Sequence, residues 1–137
     1  MLAVNREHIN FEEGYIIGGN KTEAGRDRII PLHDKIIPLV KNQLKDNVWL
    51  MQSSRGLAMS YPNVSRYFNQ IFDKFGFNHK IHDTRKTAVS LMHSAGIPME
   101  TIRVIVGHSG KGVTEKVYLY KEPKELVEVI NTMNIPY

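Results

Sequence analysis

The stretch "KIHDTRKTAVSLMH", residues 80–93, sets Lys80, His82, Arg85, Lys86 and His93 around a single acid, Asp83. His82 and Arg85 are three residues apart, which puts both on one face of the first turn of a helix. The N–H groups left free at a helix start favour an anion. Arginine suits a phosphate there, because its planar fork donates two parallel hydrogen bonds and keeps its charge at any working pH. The chemistry on offer is the grip of a negative group. The same residues also fit a plain structural cap, with Asp83 orienting the turn.

A second group lies in "VIVGHSGKGVTEKVYLY", residues 104–120, where His108 emerges just past Gly107 and Tyr118 follows ten residues later. A tyrosine hydroxyl with its usual pKa near 10 needs nearby positive charge and a base before it attacks phosphorus. Tyr118 and Tyr120 point to nearly opposite sides of a short helix, so only one can face a shared site. The plain alternative is a ring in the core with its hydroxyl at the rim. A third candidate is Lys21, in the polar reversal "GGNKTEAGRDRIIPL". It reads as solvated unless its hairpin folds over a site, where the flexible stem would reach a phosphate or a leaving oxygen.

The elements that must position these groups follow from periodicity. "HINF" (8–11), "YIIGG" (15–19) and "RIIPL" (28–32) read as strands of a small antiparallel sheet, with a turn at "EEG" and a reversal over 20–28. Pro31 marks a sheet end or an edge strand. A helix is expected across 34–45, with Pro38 counting against it. "VWLM" (48–51) is a brief apolar segment, followed by a loop. Pro62 opens a helix with Val64, Tyr67, Phe68, Ile71, Phe72 and Phe75 at core spacing, stopped by Gly76. A helix near 83–94 comes next, with His82, Arg85, Val89 and Met92 on one face and Thr84, Ala88, Leu91 and Ala95 as the neighbouring apolar stripe. Another runs from Pro98 to Gly107, a short one holds Tyr118, and a last one opened by Pro123 carries Leu126, Val129, Ile130 and Met133. The fold class is α+β, mostly α-helical with a small N-terminal antiparallel β-sheet, in one domain.

Composition narrows the classes. The 137 residues are 42% hydrophobic, enough for one domain with a real core. There is no cysteine, which excludes disulfides and cysteine-based zinc sites, and no HxxxH or HExxH pair points to a metal. No apolar run approaches a membrane span and no signal peptide precedes the first periodic segment, so a soluble, cytoplasmic protein without a membrane partner is expected. The net charge is +4, and its placement is informative: residues 49–111 hold eight basic side chains against Asp73, Asp83 and Glu100. Either a nucleic-acid partner or a solvated face accounts for that excess.

In order and spacing these pieces resemble the catalytic domain of the tyrosine recombinases, the phage integrase family. The resemblance covers nearly the whole chain: the hairpin lysine stretch, then "HDTRKTAVSLMHSAGIPMETIRVIVGHS", then "VTEKVYLY". It implies that Lys21 donates a proton to a leaving 5′-oxygen and that Arg85 clamps the scissile phosphate while His82 assists proton transfer. It further implies that His108 donates to a non-bridging oxygen and that Tyr118 is the nucleophile of a 3′-phosphotyrosyl link. Cationic donors around a phosphorane suit the charge that grows in its transition state. Such a reaction requires neither metal nor nucleotide cofactor. The implied partners are double-stranded DNA, flanked by Lys80, Lys86 and Lys111, and further copies of the full-length protein in a synaptic tetramer.

The chain departs from the family pattern in two places. The family's first catalytic arginine sits well upstream of the hairpin lysine, at a position that falls before Met1, and Arg6 is too close to Lys21 to replace it. A truncated catalytic domain, without the N-terminal core-binding and arm-binding domains and inactive by itself, is therefore expected. Tyr120 also stands where many members carry a histidine. The family's last helix docks on a neighbouring protomer, and here it could equally pack on its own domain. Two other readings remain: a non-enzymatic DNA-binding domain with a helix-turn-helix outline over 98–118, and an inactive relic of a recombinase.

Overall fold

The structure, a computed structural model, describes residues 3–18, 28–107 and 122–135. Three strands, β1 (Ile9–Asn10), β2 (Tyr15–Gly18) and β3 (Arg28–Pro31), pair antiparallel in chain order. The register sets Ile9 against Ile16, Ile16 against Ile30 and Gly18 against Arg28. The β1–β2 reversal falls at the expected "EEG": the Asn10 side-chain oxygen accepts from the N–H groups of Glu12 (3.1 Å) and Glu13 (3.0 Å), the local bond that makes asparagine a turn residue. Pro31 closes β3 at the edge of the sheet, where its missing N–H leaves no gap in a ladder.

β3 separates two apolar cores. Its side chains alternate between the faces of the sheet. Ile30 packs against Val4, Ile9, Ile16, Leu32, Val40 and Leu44, whereas Ile29 packs against a cluster built from Met92, Ile97, Ile102 and Leu126 with their neighbours. The first core is closed by α1 (Ile37–Gln43), which buries Val40. That helix is shorter than the expected 34–45 span. Pro38 opens it instead of breaking it, since a proline at the first helical positions lacks only an N–H that has no partner there. Arg6 serves this end of the molecule, donating to the Leu44 carbonyl at 3.3 Å beyond the end of α1.

The remaining described helices are α2 (Tyr61–Lys74), α3 (Ile81–Ser94), α4 (Met99–Val106) and α5 (Pro123–Asn131). α2 forms where expected, but its residues are not a core: only Val64 is buried, and Tyr67 and Phe75 are 57% and 65% exposed. The spacing makes one face apolar, and among the described residues the part of it carrying Tyr67, Ile71 and Phe75 stays uncovered. In α3 the face through Val89 and Met92 points inward, while the neighbouring stripe fails at Leu91, which is exposed. α4 buries five of its eight residues. No helix among the described residues is long and apolar enough to cross a membrane.

α5 packs back on its own domain. Leu126 and Ile130 enter the core shared with α4, with Val129 and Met133 against it. The chain beyond α5 is then tied to the end of β3. The Nδ1 of buried His33 accepts the Lys35 N–H (3.1 Å), which leaves Nε2 to donate to the Met133 carbonyl (3.1 Å). Asp34 and Asn131 exchange two hydrogen bonds, of 2.9 and 3.0 Å, and the Lys35 ammonium donates to the Ile135 carbonyl at 2.7 Å.

Candidate active site

The HxxR residues stand at the start of α3, and local chemistry explains why the helix starts there. Lys80 is extended (φ −116°, ψ 157°), and the chain turns helical at Ile81, two residues before the expected start. Asp83, third in the helix, accepts from the Lys80 backbone N–H (3.0 Å), and its own N–H donates to the Lys80 carbonyl (2.8 Å). This is half of a capping box; lysine has no side-chain acceptor to supply the other half. Asp83 also accepts from the Lys86 ammonium at 2.9 Å. The Lys86 hydrogen bond, and then that of the Lys80 backbone, hold the Asp83 carboxyl down at about 2. The expectation that Asp83 orients this turn is thus met, and Lys86, 70% exposed, is engaged with it.

His82 is exposed on the first turn, whereas Arg85, one turn further, is half-buried and reaches inward. Its Nη2 donates to the main-chain carbonyl of Val106, the last residue of α4. The end of α4 attracts a cation for a general reason: its final carbonyls carry the negative pole of the helix. Gly107 terminates α4 in the left-handed region (φ 70°, ψ 44°), its N–H bonded to the carbonyls of Arg103 (2.9 Å) and Val104 (3.1 Å).

A residue that sequence reasoning missed joins them. Arg28, the first residue of β3, donates from Nη1 to the same Val106 carbonyl at 2.6 Å. Its guanidinium lies against Gly107, so that a Cβ there would meet Cζ at 2.9 Å. A basic residue opening an edge strand reads as solvated, and its partner is 78 residues further along. No local signal could have found it.

Lys21, His108, Lys111 and Tyr118 lie outside the described residues. The described residues on either side are informative. Gly18 and Arg28 pair directly, so the segment carrying Lys21 connects neighbouring strand ends. His108 follows Gly107, which Arg28 touches, and Val106, which Arg85 touches, comes immediately before that glycine. α4 itself is too buried to lie in a DNA groove, which limits the helix-turn-helix reading to residues beyond it.

Comparison with known proteins decides the family. Residues 1–125 match the model described as the phage integrase family. The chain belongs to that family. It is 28% identical to the tyrosine recombinase XerA of Pyrococcus furiosus over 94% of the chain and 47% of that protein. It is 30% identical to an integrase of Streptomyces ambofaciens over 84% of the chain and 33% of the relative. Among solved structures, the integrase from mycobacterium phage Brujita shares the fold with a TM-score of 0.75, at 15% identity over 97% of the chain and 45% of the neighbour. This phage integrase family chain therefore spans about half the length, or less, of the proteins it matches.

Proposed function

We propose that this chain is catalytic-domain sequence of a site-specific recombinase that cuts and rejoins double-stranded DNA through a 3′-phosphotyrosyl intermediate. The observation that carries this reading is the convergence at the Val106 carbonyl. The HxxR arginine reaches the residue just before the Gly-His-Ser element, and the first residue of β3, at the end of the Lys21 segment, reaches the same atom. These are the three parts of the chain whose residues the family uses together.

In the proposed reaction the Tyr118 oxygen attacks phosphorus and the bond from phosphorus to the 5′-oxygen breaks. Lys21 gives a proton to that departing oxygen. Arg85, His82 and His108 donate to the other phosphate oxygens, where charge accumulates. The phosphotyrosyl ester retains the bond energy, and attack by a 5′-hydroxyl reverses the step to rejoin the strand. Lys80, Lys86 and Lys111 serve the flanking DNA backbone, Lys86 while holding Asp83, and strand exchange takes place in a tetramer of the full-length protein. Residues 1–137 include no counterpart of the family's first arginine. A missing donor of this kind lowers rate by about 10²–10³, so these residues alone are expected to be inactive or nearly so.

The test restores the upstream region, supplies a nicked suicide DNA substrate and looks for a covalent adduct on a denaturing gel. Tyr118→Phe should abolish the adduct, and Arg85→Ala should lower its rate about 10²–10³-fold. An adduct that survives Tyr118→Phe, or none across a panel of cognate sites, would sink the reading. Efficient cleavage by the 137 residues alone would instead sink the claim that they need another arginine.

A further inference from the structure

One carbonyl oxygen, that of Val106, accepts from both Arg28 and Arg85. Two like charges meeting at one atom repel, and the negative end of α4 offsets that repulsion. A carbonyl has two lone pairs, so it holds both donors and remains satisfied if either departs.

The two arginines differ in what surrounds them. Arg28 is fixed by strand pairing opposite Gly18, and its guanidinium rests on Gly107. Arg85 comes from the second turn of α3, one turn beyond exposed His82, its partner in the HxxR pair. Turning Arg28 away would empty the space it fills against Gly107, whereas no such contact with Gly107 is made by Arg85.

We propose that Arg28 is a positioning residue for the cleavage site: it holds the Val106–Gly107 end of α4 against β3, so that Arg85 can exchange the carbonyl for a DNA phosphate without that end moving. This role rests on the strand-cleavage reading above. Without DNA the two arginines share the oxygen. With DNA bound, Arg85 turns its fork to the phosphate and Arg28 keeps the oxygen alone. Because His108 is bonded directly to Gly107, whatever holds Gly107 fixes the origin of the next residue.

Two measurements test the role. The first needs no DNA and follows amide hydrogen exchange in the 137-residue chain. Arg28→Gln should speed exchange at Gly107 about tenfold, the weight of one charge-assisted hydrogen bond, and leave the Ile102 amide in the same helix unchanged. Arg85→Gln should leave Gly107 exchange within about twofold, because Arg28 still holds the oxygen. Equal effects from the two substitutions, or no effect from Arg28→Gln, overturn the proposal. The second measurement uses the protein with its upstream region and nicked DNA. Arg28→Gln should slow adduct formation at saturating DNA about tenfold, with DNA affinity within about twofold of the parent. Weakened affinity at an unchanged rate would make Arg28 an ordinary backbone contact and overturn the role.

Arg28→Lys keeps a charged donor and should move both readouts back toward the parent. If it behaves as Arg28→Gln does, the hydrogen bond is not what holds the end of α4, and the proposal falls. A parent protein that forms no adduct would refute the cleavage reading, while the exchange measurement would still decide whether Arg28 holds α4.

Discussion

α2 and α4 share a design and have opposite surroundings. Each begins beside a proline, carries apolar residues at helical spacing and ends on a glycine at φ 70°. Yet α4 buries five residues and α2 buries Val64 alone. α4 lies in the core with Met92 of α3, Ile29 of β3 and Leu126 of α5, whereas the outer face of α2 leaves Tyr67, Ile71 and Phe75 in the open. Their terminal glycines differ in the same way: nothing lies within 4 Å of a Cβ at Gly76, and Arg28 occupies that space at Gly107. An apolar period shows that a face can be covered; whether it is covered depends on the topology around it.

Substitutions sharpen that contrast. Ile102→Ala, at a residue 1% exposed in α4, should cost about 2–5 kcal/mol in denaturant unfolding. The two glycines give a matched pair. Gly76→Ala should cost about 1–2 kcal/mol for the left-handed backbone alone. Gly107→Ala should cost roughly 1 kcal/mol more, because the methyl also displaces the Arg28 guanidinium from its hydrogen bond. Equal costs would mean that Arg28 yields freely and does not hold α4.

The start of α3 gives an acid-side prediction. The Asp83 carboxyl is lowered from 3.8 to about 2, so its contribution is complete above about pH 4 and is lost as pH falls through 2. The Asp83 side-chain resonance should titrate near 2, and Lys86→Ala should move that midpoint upward. The smallest effect belongs to the open face of α2: Phe75→Ser and Tyr67→Ser should each change stability by no more than about 0.5 kcal/mol. A loss several times larger would show that another surface covers that face in solution.

Strand alternation, the proline-led helices, the glycine stops and the HxxR turn were all legible in the sequence, because each is set by residues within a few positions of one another. Asp83 as the organiser of its turn belongs with them. What was not legible depends on partners far along the chain. Pro38 reads as a breaker until the helix start is known. The aromatic spacing of α2 reads as core until the neighbours are placed. Arg28 shows its function only when β3 and α4 are brought together, 78 residues apart in the chain. For the last helix the sequence left open whether it packs at home or on a neighbour; Leu126 and Ile130 are buried within their own domain.

β3 also bears on how the chain folds. Ile30 finds its partners among nearby residues, but the cover for Ile29 includes Leu126 and Ile130, and the His33 ring bonds to Met133, 100 residues later. During synthesis one side of this strand can therefore be sealed early, while the other stays wet until the last helix has emerged. Contacts of such high sequence separation cost loop entropy before they form, which delays their closure. Until then Ile29 is exposed on an edge strand, and for that interval β3 needs protection from pairing with another chain.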